Sequence, residues 1–306
     1  MARLTERGAE NKPLAIALIL LTTVIFALSD AVAKLMVASI PPLEVSWIRS
    51  VVVMALTLPV VYWRVGTQVF RPQHPFRQVL RGSAVLGSSL MYLTGLSFLP
   101  LADTSAINFI WPILITMFSV VFLGEKVGLR RWAATAVGFL GMLLIVRPGS
   151  SAFQAAAIWP IGAAVLWAFA SVMTRGMTST DPPETTIFWS SLVMLVGTTV
   201  VLPFYWVTPG WYELGLGLFV GIGSAVAHAM IVFAFERASA STLAPFSYLQ
   251  LVWASVLGYV MFQTIPDRWI LAGSALIVIS GIYTVHRERV RAREALLAEK
   301  PAPPVA

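Results

Sequence analysis

The residues of this sequence that are best suited to bind a solute are charged and polar side chains inside otherwise apolar stretches. Asp30 and Arg49 lie in the first two stretches, and His228 and Gln250 lie in two later ones. An ionisable side chain in the middle of a bilayer costs at least about 2.5–3.5 kcal/mol, so it normally pairs with a partner or faces a cavity. These residues therefore predict either ion pairs between helices or a site for a polar or charged molecule.

Two ion pairs are predicted between the first and the second apolar stretch. Asp30 and Arg49 fall at similar depths, and Lys34 and Glu44 fall about one turn farther toward the same side. Successive helices joined by a short connection are neighbours, so both pairs are geometrically reasonable. A structural staple between the two helices is one interpretation, and a substrate contact or an outer gate is the other.

Other polar and aromatic side chains lie deep in the apolar stretches, and each has two interpretations. His228 either packs through a hydrogen bond or contacts a substrate or coupling proton, because imidazole changes charge near physiological pH. The deep tryptophans either pack against helices and lipid or form a stacking wall for a planar or cationic substrate. The candidate substrate-binding residues are Asp30, Arg49, Tyr92, Asn108, Trp111, Trp167, His228, Tyr248, Gln250 and Trp253.

The composition places these side chains in a membrane. Of the 306 residues, 58% are hydrophobic and only 11% are charged, whereas a soluble domain carries about 25% charged residues. Backbone polar groups in lipid must be satisfied within helices or closed barrels, and the long continuous apolar runs favour helices. The sequence therefore predicts an all-α membrane protein.

Ten apolar runs, separated by charged residues, prolines or glycines, predict ten transmembrane helices. The first run follows Arg3, Arg7 and Lys12, an order that also resembles a cleavable signal peptide. The same helix pattern recurs later in the chain, which favours a retained first helix. The predicted spans are residues 14–36, 43–63, 79–98, 101–123, 131–147, 156–175, 184–205, 213–235, 242–262 and 269–285.

The distribution of positive charge predicts the orientation. Seventeen of the 21 lysines and arginines fall in the N-terminal segment, alternate connections and the C-terminal tail, all on one side of the ten spans. By the positive-inside rule, both termini of this multi-pass protein are cytoplasmic, in a bacterial inner membrane. The net charge of +7 is thereby explained, and no nucleic-acid partner is predicted.

The two halves of the chain match at a constant offset. Lys34 corresponds to Arg175, and Pro41-Pro42 corresponds to Pro182-Pro183, each 141 residues apart. Chance similarity between two apolar halves is one explanation, and an internal repeat is the other. Five helices per repeat would insert the second repeat upside down, a plan typical of transporters whose site lies near the bilayer midplane. The predicted repeats are residues 1–148 and 149–306, the second including the basic tail.

The repeat also bears on the intramembrane charges. At the positions equivalent to Asp30 and Arg49, the second half has Ser171 and Ser190. The charges are therefore not part of a shared scaffold, which favours a functional role for them.

Prolines and small residues predict bends and close helix contacts. Pro112 and Pro245 interrupt the fourth and ninth spans, where each removes a backbone donor and can act as a hinge or expose carbonyl groups to a cavity. Gly217 and Gly221 have the small-xxx-small spacing that allows two helices to approach closely.

Short motifs in a characteristic order cover nearly all of residues 14–287. They are Arg81-Gly82, Pro100-Leu101-Ala102-Asp103, Pro112, Leu123-Gly124-Glu125-Lys126-Val127, Arg131-Trp132, Arg147-Pro148-Gly149, Ala244-Pro245-Phe246-Ser247-Tyr248-Leu249-Gln250, Pro266-Asp267-Arg268-Trp269 and Ser280-Gly281-Ile282-Tyr283. In this respect the chain resembles the EamA-type permeases of the drug/metabolite transporter superfamily, and its first half is loosely similar to the S-adenosylmethionine and riboflavin importers.

The resemblance implies ten helices in two inverted EamA units around a central cavity, with helices five and ten peripheral. It also implies transport of small organic metabolites, inward in some members and outward in others. One departure concerns Gln263-Thr264, which stand where the second repeat of the family usually has Gly-Glu before Pro-Asp. Any role of that second glutamate is therefore in doubt in this chain.

Among the functions considered, the sequence favours a secondary transporter that moves an amino-acid-like, nucleoside-like or vitamin-like metabolite by alternating access. An exporter of metabolites or drugs with the same fold is the alternative. A membrane-embedded enzyme is disfavoured because no catalytic cluster is present, and the lack of cysteine and of a P-loop excludes thiolate metal sites and ATP binding of that kind. No metal or cofactor is predicted. The expected partners are a small-molecule substrate and the lipid bilayer, with a homodimer left open.

Overall fold

The computed structural model of the protein describes residues 12–124, 128–147, 155–177, 180–238, 243 and 246–298. Within these ranges it contains α-helices and short 3-10 segments and no β-strand. The helices are α1 (Lys12–Met36), α2 (Pro42–Val65), α3 (Pro75–Phe98), α4 (Leu101–Asn108), α5 (Trp111–Leu123), α6 (Leu129–Val146), α7 (Ile158–Arg175), α8 (Pro183–Val201), α9 (Trp211–Arg237), α10 (Leu249–Phe262) and α11 (Arg268–Ala298).

These helices form the ten predicted spans. The fourth span is divided into α4 and α5 by a turn at residues 109–110, directly before Pro112 in the first turn of α5. The ninth span has helical residues at 243 and 246–247, a turn at Tyr248, and then α10. Pro245, predicted to interrupt this span, lies outside the described residues. The fold class predicted from the sequence is confirmed.

Most spans are recognisable from length and hydropathy, but α3 is not. Six segments are long and apolar enough to cross a membrane, and three shorter helices, Trp132–Val146, Leu249–Phe262 and Arg268–Tyr283, are also apolar. The tenth helix is α3, which carries Arg81, Ser88 and Ser89 along one side. A span can be this polar only when one of its faces is shielded from lipid.

The packing of the helices shows the inverted repeat. Helix α1 packs against α9 and α10, and the equivalent α7 packs against α3 and α5; α2 packs against α9, and the equivalent α8 packs against α3. Helices α2 and α8 contact each other, as do α6 and α11. Exchanging the two sets of five spans thus reproduces the same contacts, as a two-fold axis between inverted units requires.

Two helix crossings repeat this symmetry at the level of single side chains. Gly221 of α9 lies against the side chain of Val52 in α2, where a Cβ atom on the glycine would collide with the valine. Gly82 of α3 lies in the same way against Val193 in α8. Val52 and Val193 are separated by the offset of 141 residues that relates the two halves. The close packing predicted for Gly221 is therefore present.

The bundle has two faces, the N-terminal face and the opposite face. The N-terminal face holds Lys12 at the start of α1, and the opposite face holds Met36 at the end of α1 and Pro42 at the start of α2. Helix α11 contains the predicted span of residues 269–285 and continues beyond it to Ala298, over 31 residues in all. At 1.5 Å per residue it is about 46 Å long, so its last turns extend beyond the hydrocarbon core at the N-terminal face.

Asp267 connects the end of α6 with the start of α11 at the opposite face. Its Oδ1 accepts hydrogen bonds from the backbone N–H groups of Trp269 and Ile270, both at 2.9 Å, and so caps the start of α11. Its Oδ2 pairs with Arg147 Nη2 at 2.6 Å, at the end of α6. Partial burial opposes ionisation, but the hydrogen bonds from Ile270 and Arg147 outweigh it and lower the pKa of Asp267 below its ordinary value.

The departure from the family pattern at Gln263 has a structural cost. Helix α5 ends at Gly124 with a φ of 66°, and α10 ends at Gln263 with a φ of 54°, so both residues adopt the left-handed conformation. Glycine adopts it freely, whereas a residue with a Cβ atom pays roughly 1–2 kcal/mol. Gln263 therefore forms the same helix end as Gly124 at a cost in stability.

Replacing Gln263 by glycine is expected to stabilise the protein. Relief of the left-handed strain should raise the free energy of unfolding by about 0.5–1 kcal/mol after the larger chain entropy of glycine is subtracted. Thermal unfolding of the detergent-solubilised protein measures this change. Gly124→Ala is the matched control and should destabilise. A lower midpoint for Q263G would show that the glutamine side chain makes a compensating interaction.

Candidate functional site

A cavity of about 810 Å³ lies between the two repeats. Its walls come mainly from α1–α5 and α7–α10, and this volume is within the usual range for sites that bind small molecules. Asp30, Arg49, Ser171 and Ser190 all line it. Positions related by the repeat offset thus face one shared space. Helices α6 and α11 also reach the cavity, because Thr135 of α6 and two residues of α11 are part of its lining.

Asp30 is the carboxylate of this cavity. Its Oδ2 accepts hydrogen bonds from the Tyr92 hydroxyl at 3.1 Å and from Gln250 Nε2 at 3.2 Å. The Tyr92 oxygen also lies 3.2 Å from Ser105 Oγ. Four spans from both repeats therefore meet at one negative charge, which is held by neutral groups and lies at the cavity wall.

Arg49 lies close to this group without forming the predicted ion pair. Its Nη2 donates to Ser89 Oγ, and among the described residues no carboxylate comes within 4 Å of its guanidinium. Ser89 and Tyr92, the partners of Arg49 and Asp30, are three residues apart on α3, a rise of about 4.5 Å. The Asp30–Arg49 staple is therefore wrong. The two charges instead lie side by side on the cavity wall, each bonded to α3.

The second predicted pair, Lys34 with Glu44, is also wrong. Lys34 Nζ donates to the carbonyl oxygens of Leu96 at 2.8 Å and Leu99 at 2.7 Å, because the end of α3 leaves carbonyl groups without helical partners. Glu44 Oε2 accepts from the backbone N–H of Val207 at 3.2 Å. Within the described residues the two side chains thus join different neighbours at the opposite face.

Arg81 is absent from the predicted site because the sequence pattern places it in a connection between two spans. It lies within α3 and lines the cavity. Its Nε donates to Thr174 Oγ1 at 2.6 Å, and its Nη1 donates to the Thr186 carbonyl at 3.3 Å and to Ser190 Oγ. Arg175 at the end of α7 also lines the cavity and donates to Ser119 Oγ at 3.4 Å. The polar stripe of α3 at helical spacing was the available signal.

His228 and Asn108 both line the cavity, and each has a hydrogen-bonding atom without a described partner. His228 Nδ1 lies 2.7 Å from the Ser224 carbonyl oxygen, which only accepts, so Nδ1 carries the proton. In the neutral ring Nε2 is then an acceptor. The ring of Phe26 packs edge-on against the imidazole. Asn108 Oδ1 is buried and has no hydrogen-bond partner among the described residues, although it lies at a cavity-lining side chain.

The aromatic candidates divide into two groups. Trp111, Trp167 and Tyr248 line the cavity, the two tryptophans at positions predicted for a stacking wall. Tyr248 packs against Phe109, with ring centroids 5.7 Å apart. Trp253 is not among the residues that line the cavity, and its buried Nε1 has no partner among the described residues. The structure therefore brings nine of the ten candidates together and leaves Trp253 in the helix packing.

The two ends of the cavity are closed to different extents. On the opposite face, buried residues of α1–α4, α9 and α10 form one continuous apolar cluster that includes Met36, Leu96 and Val220. A second large cluster joins α4, α6, α7, α10 and α11 in the same half. Toward the N-terminal face, the described residues form only smaller clusters, around Ala15, Val69 and Val172. The opposite face is thus the more tightly sealed.

Ten spans in two inverted units around a polar cavity define a membrane transporter, and no group of residues suited to hold a metal ion occurs in the described part of the chain. The chain belongs to the EamA-like transporter family, whose sequence model matches residues 13–147 and again residues 154–285. It is a multi-pass membrane protein that transports a small metabolite, and not an enzyme.

Several characterised relatives match over most of their length. The S-adenosylmethionine uptake transporter of Rickettsia felis is 25% identical over 88% of this chain and 92% of its own. The riboflavin transporter of Vibrio cholerae is 30% identical over 93% and 97% of the two chains, and the pseudopaline exporter of Pseudomonas aeruginosa is 29% identical over 87% and 93%. A solved crystal structure, 21% identical, shares the fold with a TM-score of 0.64 over 93% of this chain and 100% of its own.

The separate bonding of Lys34 and Glu44 can be tested by a double-mutant cycle. We expect Lys34→Met and Glu44→Gln each to lower the unfolding midpoint, because the first removes the donor to Leu96 and Leu99 and the second replaces a charged acceptor of the Val207 N–H by a neutral one. The two effects should add within about 0.5 kcal/mol, as for residues without shared partners. Thermal unfolding of the two single variants and the double variant gives the coupling energy. A coupling energy above about 1 kcal/mol would instead indicate that Lys34 and Glu44 interact directly as an ion pair.

Proposed function

We propose that this protein carries a zwitterionic metabolite across the bacterial inner membrane by alternating access. The observation that carries the proposal is the placement of Asp30 and Arg49, two opposite charges that form no ion pair within 4 Å and whose partners Tyr92 and Ser89 lie three residues apart on α3. An α-amino acid group carries an ammonium and a carboxylate at a comparable separation. Its ammonium binds Asp30 and its carboxylate binds Arg49, so both charges remain solvated by the protein during transport.

The rest of the cavity suits the remainder of such a substrate. Trp111 and Trp167 offer aromatic faces, and the Nε2 of His228 accepts a hydrogen bond from a ring N–H group or an amine. S-adenosylmethionine, the substrate in the name of the Rickettsia relative, combines an amino acid group with cationic and planar parts. It is therefore the first compound to examine.

The carrier halves are residues 1–148 and 149–306, and both termini are cytoplasmic. The support is the charge distribution, in which sixteen of 21 lysines and arginines lie on the N-terminal side when Arg81, which lies inside α3, is not counted. The tighter apolar seal on the opposite face then corresponds to a state that opens toward the cytoplasm. Lys34 strengthens this seal, because it joins α1 to the last carbonyl groups of α3.

Neutralising either charge is expected to abolish recognition without unfolding the protein. Asp30→Asn and Arg49→Gln should each lower kcat/KM for radiolabelled S-adenosylmethionine by at least 10-fold in proteoliposomes, a loss of about 1.4 kcal/mol or more. Uptake and counterflow measured in both directions separate import from export. Glu213→Gln, a carboxylate change outside the cavity, should retain transport.

Two outcomes would contradict this assignment of the charges. Transport by both variants at the wild-type rate would remove Asp30 and Arg49 from the site. A loss of transport that follows a matching loss of thermal stability would mark them as structural.

The direction of opening can be read from labelling, since the chain contains no cysteine. Thr57→Cys and Ser105→Cys introduce thiols on the lining, in the N-terminal half and the opposite half respectively. A membrane-impermeant maleimide should label both from the cytoplasmic side only. Adding Lys34→Met should open the opposite seal, so that Ser105→Cys is labelled from the periplasmic side while Thr57→Cys is unchanged. Labelling of both thiols from the periplasm in the Lys34 background would overturn the orientation.

A further inference from the structure

Arg81 is a cation inside the membrane-spanning region that no described carboxylate neutralises. Its three hydrogen-bond acceptors are the Thr174 hydroxyl, the Ser190 hydroxyl and the Thr186 carbonyl, all of them neutral. Its Nη2 donates to no described residue, although the side chain lines the cavity. A guanidinium can bond an anion through two parallel N–H groups, so Arg81 retains capacity for a ligand.

Asp181, the acid bonded to Gln78 one turn before Arg81 on α3, is already engaged elsewhere. Asp181 is 4% exposed, and its Oδ1 accepts from the backbone N–H of Gln73 at 2.8 Å. Its Oδ2 accepts from Gln78 Nε2 at 2.9 Å. No ion pair joins Asp181 to Arg81 within the part of the chain that the structure describes. The buried amide network thus holds the carboxylate of Asp181 away from the guanidinium, which is left charged and facing the cavity.

The rise along α3 gives the distance between Arg81 and the other charged groups of the cavity. Arg81, Ser89 and Tyr92 all line the cavity, and Ser89 and Tyr92 hold Arg49 and Asp30 respectively. Arg81 precedes Ser89 by eight residues and Tyr92 by eleven. At 1.5 Å per residue, these separations are about 12 Å and about 16 Å along the helix. The cavity therefore has charged groups at two separate positions along α3.

We propose that Arg81 forms an anion subsite, and that the substrate is an elongated metabolite with an amino acid group at one end and a second acidic group, a carboxylate or a phosphate, at the other. The inference rests on the proposed function of the cavity, and it narrows the substrate class to molecules with a second acid, so S-adenosylmethionine tests only the Asp30–Arg49 end. The amino acid group occupies the Asp30–Arg49 end, and the second acid replaces water at the free N–H groups of Arg81. A substrate of this kind enters in one orientation only, because the carboxylate of Asp30 repels its acidic end.

A purely structural role for Arg81 would have a different signature. The side chain joins α3 to α7 and α8 through its hydrogen bonds, so its removal would lower stability in either case. Only an anion subsite makes affinity depend on the acidic group of the ligand. The test therefore compares ligands that differ in that group alone.

The experiment measures binding by the full chain in nanodiscs with three probes, L-tyrosine, O-phospho-L-tyrosine and 4-carboxy-L-phenylalanine. Wild-type protein should bind at least one of the two acidic probes 10-fold or more tightly than L-tyrosine, and comparison of the two distinguishes phosphate from carboxylate. Arg81→Gln should abolish this preference while leaving the affinity for L-tyrosine within about 2-fold. Arg81→Lys should retain part of the preference. Arg77→Gln, the same charge change at an exposed position of α3, should bind as the wild type does.

The outcomes decide the proposal in either direction. Equal affinity for all three probes, absence of binding by both acids, or a preference that survives in Arg81→Gln would overturn the subsite. Failure of the proposed function is distinguishable, because it concerns movement. An acid preference lost in Arg81→Gln but without flux of any probe or of S-adenosylmethionine into proteoliposomes would leave the subsite standing and refute the carrier. Flux that depends on Asp30 without any preference for acidic probes would support the carrier and refute the subsite.

Discussion

The cost of placing a charge in a medium of low dielectric constant constrains the rest of this structure. Asp30, Arg49 and Arg81 lie in membrane-spanning helices, where an unsolvated charge is expensive and normally forces a partner or a wet cavity. The protein surrounds them with neutral groups, namely the Tyr92 hydroxyl, the Gln250 amide and several serine and threonine oxygens. Hydrogen bonds of this kind hold a charge in position without cancelling it, so it remains available to a solute.

The scaffold around these charges is symmetric, whereas the lining is not. The crossings of Gly82 with Val193 and of Gly221 with Val52 repeat the same geometry in both units. Yet the positions equivalent to Asp30 and Arg49 in the second repeat are occupied by serines, although all four residues line the same cavity. A symmetric scaffold allows two equivalent arrangements of helices, one open to each side. An asymmetric lining gives the solute a fixed orientation in both.

The spans could be predicted because they depend on local properties, the lengths of apolar runs and the residues that break them. The site was predictable in outline, since deep polar side chains in an inverted repeat must face a shared interior. The errors have physical causes. Lys34 is long enough to reach the carbonyl groups at the end of α3 that have no helical partner. The sequence does not reveal that these carbonyl groups compete with Glu44 for Lys34. Arg81 resembled a loop residue because α3 is polar on the face that the cavity shields. Trp253 was placed by depth alone, and depth does not fix the direction of a side chain.

The unequal apolar clusters at the two ends of the cavity have a thermodynamic consequence. In the proposed alternating-access cycle, separating the large cluster around Met36 and Leu96 exposes more nonpolar surface than separating the small ones, so the two conformers of the empty protein differ in free energy. The measured dissociation constant at each membrane surface equals the intrinsic one divided by the fraction of molecules that are competent there. An unequal resting population thus makes the apparent affinity differ between the two compartments, even when the binding contacts are identical.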